Sequence, residues 1–138
     1  MAIKNLFPEE MFKSSGDTAM TLESIAGKLT YFHEQLHLLH WQTASYAEHK
    51  ALGDLYEYLQ DFKDDVVEKL MGYMGKKPRA FKVPPISEAD PKQIVSELGI
   101  WSYSLYEWAG EQKYCDVENM AQELSGKAAK TKYLLSLT

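Results

Sequence analysis

Apolar residues recur every three or four positions along most of this chain. Leu22, Ile25, Leu29, Phe32, Leu36 and Leu39 form one such series. That is the stripe of an amphipathic helix facing a bundle, and it predicts a first helix over about 18–41. Leu52, Leu55, Leu59, Phe62, Val66 and Tyr73 predict a second over about 46–74, with Gly72 and Gly75 marking its end. A third, over about 91–110, carries Ile94, Leu98, Trp101, Leu105 and Trp108. It starts at Asp90-Pro91 and stops near Gly110. A fourth, over about 116–136, is capped by Asp116 and carries Val117, Met120, Leu124, Ala128, Thr131 and Leu135. Pro8 with acids behind it predicts one turn over 8–13, and Ser14–Asp17 a break and a cap. No alternating strand pattern is sustained.

The connections predict the topology. Short links after the first and third helices make antiparallel neighbours of each pair. Residues 76–90 hold Pro78, Pro84 and Pro85 and no helical pattern, so they form a crossing loop. Extended, such a loop reaches about 50 Å, more than the roughly 40 Å of the second helix. The expectation is an all-α, ferritin-like four-helix bundle with a long crossover between its second and third helices. Residues 1–138 form one domain, with an N-terminal arm over 1–17.

Composition narrows the function. The 138 residues are 45% apolar and 25% charged, which is globular rather than disordered. No apolar run is long enough to span a bilayer, and the start lacks the apolar stretch of a secretory signal. The single cysteine, Cys115, has no internal partner, so a reducing cytoplasm is the expected address. Fifteen basic residues stand against twenty acidic ones. Arg79 is the one arginine, and the densest basic stretch, Lys76-Lys77-Pro78-Arg79 with Lys82, reads as a solvated loop. DNA binding is therefore disfavoured.

The candidate chemistry is clustered. His33, His37 and His40 share one face of the first helix, and His49 follows at the start of the second. Histidines near carboxylates suit a divalent transition metal. Glu57, Asp61, Asp64 and Glu68 form an acidic stripe on the second helix, with Lys63 and Lys69 at hand to compensate it. Glu34-x-x-His37 matches one copy of the Glu-x-x-His motif of di-iron bundles. The third and fourth helices have no histidine to supply a second copy, so Glu34 and His37 read as structural. The many tyrosines and tryptophans read as core or interface anchors.

Leu39-His40-Trp41-Gln42-Thr43, then His49-Lys50-Ala51-Leu52-Gly53-Asp54-Leu55-Tyr56, then Asp64-Asp65-Val66-Val67-Glu68-Lys69-Leu70 together resemble the Dps miniferritins. Those are ferritin-fold proteins that oxidise and store iron. The resemblance covers residues 36–72. It implies His40 and His49 as metal ligands from one subunit, with Asp64 and Glu68 from a twofold-related neighbour. It implies no catalytic residue beyond these ligands. Helix geometry points to the same division: His49 and Asp64 lie about 22 Å apart along one helix. Antiparallel pairing of two such helices, centred near Tyr56–Leu59, brings His49 of one chain to Asp64 and Glu68 of the other. Gly53 stands where the family usually has an aspartate, and both the first turn and the crossover are shorter than in Dps. Ser45–Gly53 also resembles phage-encoded ferritin-like proteins.

Two functional expectations follow. The first is a Dps-like homo-oligomer that binds iron between subunits, oxidises Fe(II) as a ferroxidase and sequesters it. The second is a non-catalytic ferritin-fold structural or interaction protein with a vestigial metal site, binding itself or a host protein.

Overall fold

The computed structural model describes residues 19–138. The arm over 1–17, its turn over 8–13 and the cap expected at Ser14–Asp17 lie outside them. Among the described residues there are four helices and no strand: α1 (Leu22–Gln42), α2 (Tyr46–Met74), α3 (Pro91–Gln112) and α4 (Cys115–Leu135). No helix among them is long and apolar enough to cross a membrane.

Local chemistry sets the helix ends. Thr21 caps α1 through a reciprocal pair with Ser24, which satisfies two otherwise unpaired N–H groups. The Ser45 hydroxyl accepts the Glu48 N–H and starts α2. Gly75, at φ 68°, ends α2 in the left-handed conformation that glycine tolerates best. Two expected ends move. The third helix runs two residues past Gly110 and closes at Lys113, φ 64°. Gly110 instead admits Glu118 of α4, whose Oε2 a Cβ there would meet at 2.9 Å. The fourth helix starts at Cys115 rather than being capped by Asp116, whose carboxylate pairs with Lys69 of α2.

The α1 stripe is buried throughout, Leu22 to Leu39. On α2 burial runs from Ala51 to Leu70, and Tyr73, expected inside, is exposed. On α3 the half-buried Trp101 and Trp108 flank the core, while Val95, Ser102 and Ala109 enter it. On α4 Met120 is likewise only half-buried and Ala121 takes the inner position.

The helices pack as α1 with α2, α3 with α4, α2 with α4 and α1 with α3. Consecutive α2 and α3 therefore sit across the diagonal. The crossover is tied along α1 from end to end. The Arg79 N–H donates to the Glu23 carboxylate (2.8 Å) and holds its pKa below the usual carboxylate range. The Lys82 carbonyl lies over Gly27, where a Cβ would block it. The fully buried Gln35 amide exchanges two hydrogen bonds with the backbone of Ser87 (2.8 and 2.9 Å), and Gln42 donates to Glu88. From Glu23 to Gln42 is about 28 Å of helix. The crossover thus returns the chain to the α1–α2 turn before α3 begins.

Candidate functional site

The turn between α1 and α2 is three residues, 43–45. The Thr43 N–H bonds back to the Leu39 carbonyl, and the Ser45 N–H donates to the Thr43 hydroxyl. So tight a link places His40, in the last turn of α1, against His49, in the first turn of α2. Their rings stack with centroids 3.7 Å apart and planes 19° from parallel.

Each of these rings is fixed by the other residue's backbone. His40 Nδ1 lies 2.7 Å from the His49 carbonyl oxygen, and His49 Nδ1 lies 2.8 Å from the His40 carbonyl oxygen. A carbonyl only accepts, so both Nδ1 atoms carry hydrogen. In the neutral rings the lone pair is then on Nε2, and among the described residues neither Nε2 has a hydrogen-bond partner. The His40 carbonyl is one of the α1 C-terminal carbonyls without a helical donor, so His49 also caps the helix. A stacked pair directs its two lone pairs along two nearly parallel planes.

Tyr56 sits at the centre of a wider aromatic layer between α1 and α2. His37 stacks on it (4.2 Å, 21°), and His33 and His40 meet it edge-on at 5.4 and 5.2 Å. His37 also packs on Trp41 at 3.9 Å. His37 is thus in contact with two rings, while Glu34 is exposed. His33 Nε2 is buried and has no hydrogen-bond partner among the described residues. Burial, then Lys63 and His37, hold the His33 pKa below the ordinary imidazole value, with Glu34 acting the other way. Trp41 and Tyr46, 66% and 76% exposed, border the layer on the outside.

The carboxylates are elsewhere. Asp64 and Glu68 are exposed on the outward side of α2, with Glu57 and Asp61. The lysines expected to compensate them do not. Lys63 donates to the Thr30 hydroxyl at 3.3 Å, and Lys69 pairs with Asp65 and Asp116. Like charges four apart on one helix face repel by a few tenths of a kcal/mol per pair, and the stripe is left with that repulsion.

Of the four candidate ligands, the structure brings His40 and His49 together and leaves Asp64 about 22 Å and Glu68 about 28 Å further along α2. Among the described residues no three His, Cys, Asp or Glu side chains are grouped to hold a metal. One chain offers two imidazole donors, half of a four-ligand set. Two further residues shape the site: Tyr56, central to the layer, and Gly53, against which His40 lies. Gly53 is four and Tyr56 seven residues after His49, which puts all three on one helix face, and that was the available sequence signal.

Residues 40–135 match DUF5856, a family of unknown function; the match begins at His40 and includes His49, Asp64 and Glu68. A protein of Enterobacteria phage T4, described as the uncharacterized 14.6 kDa protein in the mobD-ri intergenic region, is 29% identical over 131 residues. That alignment covers 91% of this chain and 95% of the relative. The likeness to a phage protein agrees with the resemblance carried by Ser45–Gly53. The comparisons show no ferritin-like family, and no solved structure matches the chain.

Proposed function

The chain belongs to the DUF5856 family, and we propose that it binds Fe(II) at a site built between two copies, oxidises it there and sequesters it, as a Dps-like protein. One observation carries this reading. His40 and His49 hold each other's Nδ1–H on backbone carbonyls and, among the described residues, leave both Nε2 atoms uncommitted. Histidine ligands of metals are oriented in this way, by a hydrogen bond from the other ring nitrogen. The residues fit half of a site, because each chain supplies two nitrogens and no adjacent carboxylate. A second copy, with its α2 antiparallel across a twofold axis near Tyr56–Leu59, supplies Asp64 and Glu68. Both carboxylates are exposed and, among the described residues, without an ion pair, and the twofold axis makes two equivalent sites at once. In this reading the imidazoles hold the iron, the carboxylates complete and neutralise its shell, and oxygen or peroxide takes the electrons. The crossover tied along α1 supports the ferritin-like connection.

A second reading, a non-catalytic ferritin-fold interaction protein, draws on Trp41 and Tyr46, large aromatic side chains exposed beside the histidines. Aerobic Fe(II) oxidation followed by absorbance separates the two, with wild type run beside His40→Ala and Glu68→Ala. The iron reading expects oxidation above the buffer rate, lost in both variants while each keeps its helix content. Oxidation at the buffer rate in all three, with assembly altered in Glu68→Ala, favours the interaction protein.

A further inference from the structure

We infer that Gly53 is a positioning residue for the histidine pair: the missing side chain is the space in which the His40 ring lies. The inference deepens the iron-site reading, and its consequence for metal rests on that reading. A Cβ built at position 53 would lie 2.9 Å from His40 Cε1, 3.1 Å from its Nδ1 and 3.9 Å from its Nε2. The first of these is closer than carbon atoms pack.

The ring has nowhere to retreat. The His49 ring stacks on it at 3.7 Å, Tyr56 meets it at 5.2 Å, and Nδ1 is held on the His49 carbonyl. A side chain at 53 must therefore open the stack, break the Nδ1 hydrogen bond, or both. Either change frees the ring to turn and releases the choice of tautomer. α2 itself has no use for glycine at this point, since glycine is a poor residue inside a helix. Gly72, on the same helix, has nothing within 4 Å of its Cβ position, so it serves as a control with the same backbone chemistry and no ring beside it.

This changes the meaning of the departure at position 53. Where the Dps resemblance leads one to expect a carboxylate, this chain has an imidazole face. The site lacks that negative oxygen donor and keeps a tightly held nitrogen donor, His40, in its place beside Gly53. Such a set takes ions that accept imidazole, namely Fe(II), Co(II) and Zn(II), over Mg(II) and Ca(II). Replacing Gly53 by aspartate then removes binding rather than improving it.

The test compares wild type with Gly53→Ala, Gly53→Asp and Gly72→Ala. The first readout is heteronuclear NMR of the imidazole nitrogens of the metal-free chain at about pH 8. The second is Co(II) uptake followed by its visible absorption. Wild type and Gly72→Ala are expected to show both rings as the Nδ1–H tautomer. Gly53→Ala and Gly53→Asp are expected to lose that signature and to weaken Co(II) binding at least about tenfold. An unchanged signature in Gly53→Ala, or tighter Co(II) binding by Gly53→Asp, overturns the inference. If wild type takes up no Co(II), the iron reading fails, while the tautomer signal still decides the role of Gly53. If Gly53→Ala does not fold, His40→Ala/Gly53→Ala must fold, because the obstructing ring is gone; failure there also overturns it.

Discussion

The two helical hairpins solve the same packing problem with different side chains. In α3–α4 the seam is apolar and closely spaced, with Gly99, Ser102, Ala109, Ala121 and Ala128 buried beside Leu98, Leu105 and Leu124. No histidine lies in it. In α1–α2 the aliphatic seam gives way near the turn to the rings of His33, His37, His40, His49 and Tyr56. Each hairpin uses a glycine near its turn to admit a polar side chain from the other helix, Gly110 for Glu118 and Gly53 for His40. Only the second admission creates free nitrogen donors. Cohesion is thus shared by both hairpins, while candidate chemistry belongs to one.

The largest expected effect breaks this division. Phe32 is buried in α1 and its ring meets Trp101 of α3 at 6.2 Å, so it joins the hairpins. Phe32→Ala should cost about 3–5 kcal/mol. Denaturant unfolding should remain one transition at a lower midpoint; two separate transitions would mean that the hairpins are stabilised independently.

The next sharpens it at the crossover. Gln35→Leu removes both hydrogen bonds to Ser87 and should cost about 1–3 kcal/mol. Limited proteolysis should then cut first within 80–86. Smaller again, Lys113→Gly relieves a side chain at φ 64° in the α3–α4 turn. It should raise stability by about 1 kcal/mol, measured by thermal melting, without touching the α1–α2 turn.

The smallest effect is the pH response of His33. Its pKa is held low in the folded chain, chiefly by burial. Between the folded and unfolded values the unfolded chain binds more protons. The His33 contribution is therefore fully present above about pH 6.5 and is lost as pH falls through the folded value. His33→Gln should flatten the slope of stability against pH below 6.5; an unchanged slope would place the source in another group.

Much of the fold was legible in the chain. The stripe from Leu22 to Leu39 and the one from Leu52 to Val66 are buried as their period requires, because a core-facing helix has little freedom in where it puts aliphatic residues. Large aromatic residues were less legible. Tyr73, Trp101 and Trp108 fit the period yet stay partly in solvent, since such side chains are amphipathic and suit a boundary. The loop of 76–90 had the reach to cross the bundle, but Gln35 as its anchor at Ser87 depends on a contact 52 residues away. At the site, residue type and spacing picked out His40 and His49. They could not reveal that each holds the other's ring, nor that Gly53 makes room for one of them. Lys69 read as a neighbour of the acidic stripe, and its turn toward Asp116 is a tertiary choice.

Complementation decides whether two copies of the chain share a metal site. One chain carries His40→Ala and His49→Ala, the other Asp64→Ala and Glu68→Ala. Each is titrated with Fe(II) alone, then both together after equilibration at equal concentration. Neither should bind or oxidise iron alone. In the mixture, half of the randomly formed twofold pairs combine one chain of each kind, and each such pair has one intact site. The mixture should therefore recover about a quarter of the wild-type capacity. Full binding by the carboxylate variant alone, or no recovery in a mixture shown to exchange subunits, would contradict the shared site.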